Sequence, residues 1–164
     1  MSSQGSLGHL AGFYAAHAVW CVSDGATLIP LVGFSTANTD RKMTRFVSDD
    51  LTQAVAMGRD WLAKNPEQAT MTVLVIDAFI TLESGKIDAL LLEMRDLTAG
   101  IELTMAVPYR NAESPRGFAV HKPKVLEWNG EPDALNPIVE AFFDGVDQHE
   151  QGAAVWNARI DQSI

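Results

Sequence analysis

Residues 72–110 read TVLVIDAFITL, ESGK, IDALLLEMRDL, TAG, IELTMAVPYR: three apolar runs of strand length separated by short clusters of turn formers. The pattern continues through NAESPRG into FAVHKPKVLEW, residues 111–128. Strands joined by turns this short cannot be parallel neighbours, because a parallel crossover needs a dozen residues or more. The stretch therefore predicts a four-stranded antiparallel meander and argues against a doubly wound nucleotide fold.

Upstream, Ser48 or Asp49 is placed to cap a helix running to about Lys64, where Asn65-Pro66 stops it. Its buried face would carry Leu51, Val55, Gly58 and Leu62. Before it, MTRFV (43–47) predicts a short strand and STANTDRK (35–42) a loop. Asp24-Gly25 lies between HAVWCV and TLIPLV, which predicts a tight hairpin turn between two strands. Ser6 to Ala16 reads as a short helix with Leu7, Leu10, Phe13 and Tyr14 at helical spacing. Downstream, Asn136-Pro137 opens a last helix presenting Ile138, Phe142 and Val146 on one side. The expected architecture is a single α+β domain, 1–164: an N-terminal hairpin plus a strand, then the meander, with about three helices packed on the sheet.

The chain's 164 residues, 47% hydrophobic and 20% charged, suffice for a core without metal or disulfide staples. A formal charge of -9 argues against nucleic acid as partner, since phosphate binding draws on clustered Lys and Arg. The opening MSSQGSLGHL has no basic leader region, and His9, His17 and Asp24 interrupt the apolar stretch around it. Neither a signal peptide nor a spanning helix is expected. The single cysteine, Cys21, rules out an internal disulfide and agrees with a reducing, cytoplasmic setting.

Asp77, alone among apolar neighbours, is the residue that most needs a reason. A carboxylate there must be exposed, paired, protonated or functional. A two-residue Ser84-Gly85 turn would set it opposite Leu92. Val73, Val75, Phe79, Leu90, Met94, Leu103, Met105, Val107 and Tyr109 would then share its face. It is read as either a general base in an apolar cleft or the structural partner of a group such as Tyr109, and the structural reading is favoured.

His17 and Cys21 lie four apart, but two ligands do not make a metal site, and no further Cys or His stands at ligand spacing. No metal is expected, and no glycine-rich phosphate loop points to a nucleotide cofactor. Arg110, Arg116, His121, Lys122 and Lys124 cluster in sequence, so a patch holding an anion or an acidic protein is one reading and edge-strand protection the other.

These readings point to a small binding or adaptor protein. Both faces of the central strands are apolar, which favours a homo-oligomer, and the mix of elements is that of a dimeric, chaperone-like module. The alternative is a small acid–base enzyme using Asp77, Glu93, His121, Tyr109 or Arg110 in a cleft.

Overall fold

The computed structural model describes residues 3–38 and 40–164. Among them an antiparallel sheet of seven strands forms the middle layer. In chain order the elements are α1 (Ser3–Val22), β1 (Leu31–Ser35), β2 (Arg41–Arg45), α2 (Leu51–Lys64), β3 (Met71–Leu82), β4 (Gly85–Asp96), β5 (Ile101–Arg110), β6 (Ala119–Val120), β7 (Lys124–Trp128), α3 (Leu135–Gln148) and α4 (Glu150–Ala158). The strand order is β2-β1-β3-β4-β5-β6, with β7 also paired to β5. The α+β class and the meander are as the sequence predicts.

The N-terminal hairpin is not. HAVWCV belongs to α1, which runs on to Val22, and Asp24-Gly25 forms the turn that ends it. Gly25 takes φ +97° and donates its N–H to Val22 O, a left-handed helix ending that suits glycine. Periodicity misleads here because α1 is apolar on nearly every side, and a helix of that kind is buried all round. One side rests on the sheet and the other on α3 and α4. Gly8 and Gly12 allow the backbones to touch: a Cβ on Gly12 would lie 1.8 Å from the Phe142 carbonyl oxygen, and one on Gly145 2.1 Å from that of His9. The real N-terminal hairpin joins β1 to β2 through the predicted loop, with Leu31 facing Arg45 and Ser35 facing Arg41.

The remaining corrections are smaller. The β3–β4 turn is Glu83-Ser84, since Leu82 faces Gly85, so Asp77 lies opposite Leu90 rather than Leu92. A slip of two residues preserves parity, and the predicted face survives. FAVHKPKVLEW is broken into β6 and β7 around Lys122-Pro123, where proline removes a ladder donor. Asp50, not Ser48 or Asp49, caps α2 by accepting from Thr52 N. Leu51 is exposed, and Ala54 and Gly58 form the buried centre of that helix. Ile138, Phe142 and Val146 are buried in α3, as expected.

Two cores result. Val73, Val75, Leu90, Leu92, Met105 and Val107 face the α1 side, and Val32, Phe34, Leu74 and Ile76 face α2. The second core is short. Leu74, Ile76 and Ala89 are buried, whereas Ala78, Ile80 and Leu91 are only half-buried.

Candidate functional site

Asp77 is fully engaged. Tyr109 donates its O–H to Asp77 Oδ1 at 2.6 Å, and Leu28 N–H donates to Oδ2 at 3.0 Å. The residue thus ties β3 to β5 across β4, and to the segment leading into β1. Burial, with the hydrogen bond to Asp77 second, pushes the Tyr109 hydroxyl well above the ordinary tyrosine range, so the phenol remains the donor. Asp88 is also raised, first by burial and then by Asp77.

The other acid–base candidates do not join it. Glu93 projects from the opposite sheet face, being in register with Leu74, and is clamped by Arg59 through paired bonds of 2.7 and 2.8 Å. Arg110 donates to Gly117 O at 2.8 Å and pairs with Asp161 at 3.3 Å. His121 is buried and meets the Asp161 carbonyl at 2.8 Å. Asp161 itself is held at about 2, chiefly by its bonds from Ser163. Within the predicted basic patch, Arg110 and His121 are therefore occupied with anchoring the C-terminal segment. Arg116 and Lys122 are exposed and Lys124 is half-buried. The segment also donates Asp161 N to Val120 O and accepts Val120 N at Arg159 O, which covers the edge of β6.

A second cluster was half legible in His17 and Cys21. Gly152 N–H donates to His149 Nδ1 at 2.9 Å, so the proton of the neutral ring sits on Nε2. That nitrogen lies 3.1 Å from His17 Nδ1, which must accept. The His17 proton is then on Nε2, facing Cys21 Sγ at 3.6 Å. A backbone amide thus fixes both tautomers, and His17 has no lone pair free to deprotonate the thiol or to bind a metal beside it. Burial lowers both histidines, with His149 and Arg45 adding to the effect on His17 and Arg41 to that on His149. Burial raises Cys21, partly offset by Arg45. The cluster is a neutral brace between α1 and the α3–α4 corner. His149 was missed in the sequence because its partner lies 132 residues away.

The sheet edges differ sharply from one another. β2 reads RKMTR, with Arg41, Lys42 and Arg45 all exposed. β7 follows Lys122-Pro123, and β6 is covered by the C-terminal segment. β3, however, outruns β1, which pairs with it only over Met71–Val75. Among the described residues, the segment before β1 makes no backbone–backbone hydrogen bond to Ile76–Leu82 and reaches it only through Leu28 N–H to the Asp77 side chain. That edge reads IDAFITL, has its one carboxylate turned toward Tyr109, and leaves Phe79 58% exposed. Beside it opens a groove of about 300 Å³ lined by Ile29, Pro30, Val47 and Leu51, with Asp49 at its rim; Val47 is 70% exposed.

Among the described residues no group of three or more His, Cys, Asp or Glu side chains is arranged to hold a metal ion, and no helix is long and apolar enough to cross a membrane. Compared with family models, with curated proteins and with solved structures, the chain shows no match, so the functional reading rests on its own residues.

Proposed function

We propose that this protein is a partner-binding, adaptor-type module that works as a homodimer. One observation carries the reading: the edge Ile76–Leu82 has no strand beside it and, apart from Asp77, which is held by Tyr109 and Leu28, is apolar and without the prolines by which exposed edges often avoid pairing. An edge of that kind is a template for another strand, and the occupant that best fits it is a second copy.

Identical strands can pair antiparallel about a twofold axis centred on Phe79, the commonest symmetry of soluble oligomers. Phe79 then faces its twin, Ala78 faces Ile80, and Asp77 falls opposite the neutral Thr81, so no like charges meet. In that arrangement the β3–β4 hairpin of one copy continues the line of its partner's β1 and β2. Ile80 and Leu82 are thereby carried toward the apolar groove at Ile29, Val47 and Leu51. The dispersal of Asp77, Glu93, His121, Tyr109 and Arg110 among separate structural bonds supports binding over acid–base chemistry.

Phe79→Lys tests the reading, because a lysine on an edge strand opposes pairing and the exposed phenylalanine contributes little to the monomer's core. The variant is expected to remain folded, melting lower by no more than the lost association accounts for, yet to sediment as a monomer. A variant with the wild-type mass of a dimer would move the interface elsewhere.

A further inference from the structure

Four cations, Arg59, Lys64, Arg95 and Arg110, are paired with carboxylates. Among the described residues the three cations of β2 have no such partner, although the chain carries a charge of -9. Strand alternation puts Arg41, Met43 and Arg45 on the α1 side, and the Arg41 guanidinium stands 3.5 Å above the Phe13 ring.

Along α1, Phe13, His17 and Trp20 follow at offsets of four and seven residues and so share a face. Trp20 is 44% exposed. His149 closes the far side, its ring centre 5.0 Å from Phe13 and 5.8 Å from Trp20. The result is a strip with cations along one wall and aromatic rings on its floor. Its two histidines are neutral, which leaves Arg41 and Arg45 as its charges.

We infer that this strip, together with the open outer edge of β2, binds an acidic polypeptide segment in extended form. Arg41 and Arg45 are four residues apart, about 13 Å along a strand. That span exceeds a single carboxylate or phosphate and suits side chains four residues apart in an extended segment, with the side chain between them on the same face. The segment's backbone pairs with β2 by strand addition. Its carboxylates meet Arg41 and Arg45, and an apolar side chain between them rests on Met43 and Trp20. The same cations that deter an apolar or basic strand select an acidic one, so guarding and recognition are a single device here. The assignment does not depend on the proposed dimer.

The probe is a fluorescein-labelled peptide of the repeat Glu-Ser-Leu-Ser, which sets glutamate and leucine in turn along one face of an extended strand, titrated with the full chain at low salt, beside a control with lysine in place of glutamate. The acidic peptide is expected to bind and the basic one not to. Arg41→Glu with Arg45→Glu, both at exposed positions, should weaken binding at least tenfold in a chain that still melts cooperatively, and Trp20→Ala at least threefold. Added salt should weaken the wild-type complex. The inference fails if the acidic peptide does not bind, if the basic one binds equally, or if the double reversal leaves affinity unchanged, as it would were the cations edge guards only.

Discussion

Tyr109 and Asp77 lie two strands apart on one sheet face and share a 2.6 Å hydrogen bond. The carboxylate accepts there and from Leu28 N–H, so its role is to hold strands together. Asp77→Asn keeps one acceptor oxygen but loses the charge that strengthens both bonds, and should cost about 1 to 2 kcal/mol. Urea unfolding measures the loss, and the mass in solution should not change. Unaltered stability with lost association would instead make Asp77 part of the interface.

How much of this was legible follows from which interactions are local. The meander, the α2 stop at Asn65-Pro66 and the buried side of α3 were readable, because turn chemistry and single-faced periodicity act over a few residues. The Asp77–Tyr109 pair was reachable too, since parity decides the face even when register slips by two. α1 was misread because a helix enclosed on two sides lacks a polar face. The brace at His17 and His149, and the placing of Arg41 over Phe13, join residues far apart in sequence. A break in pairing along β3 is a property of the sheet, and VLVIDAFITL alone cannot show that β1 ends at Val75's level.

The approach of α1 to α3 makes Gly12 a sharp test of packing. In an isolated helix, Gly→Ala stabilises by about 1 kcal/mol. Here the added methyl would sit 1.8 Å from the Phe142 carbonyl oxygen, which neither backbone can accept without the helices parting. Gly12→Ala should therefore destabilise by about 1 to 3 kcal/mol, read as a lower melting temperature. A stabilised variant would mean that the two helices are not in backbone contact.

The His17–His149 brace predicts acid sensitivity. Both rings have folded-state values below the ordinary 6.5, so protons bind the unfolded chain more readily. Their contribution to stability is complete above about pH 6.5 and is lost as pH falls through that value toward the lower folded ones. Protonated His149 cannot accept from Gly152, and protonated His17 turns a donor toward a donor, beside Arg41 and Arg45. Melting temperature should fall between pH 7.5 and 5. His149→Asn, which can still cap α4, should flatten that slope, whereas His149→Ala should lose about 1 kcal/mol at pH 7.5. An equally steep profile in the asparagine variant would exclude the brace as its source.

Sedimentation equilibrium of the wild-type chain at micromolar concentrations bears most directly on the bare edge of β3. Pairing through Ile76–Leu82 predicts twice the 17.8 kDa of one chain, falling to the single-chain mass in Phe79→Lys. A wild-type mass of 17.8 kDa throughout that range would contradict it.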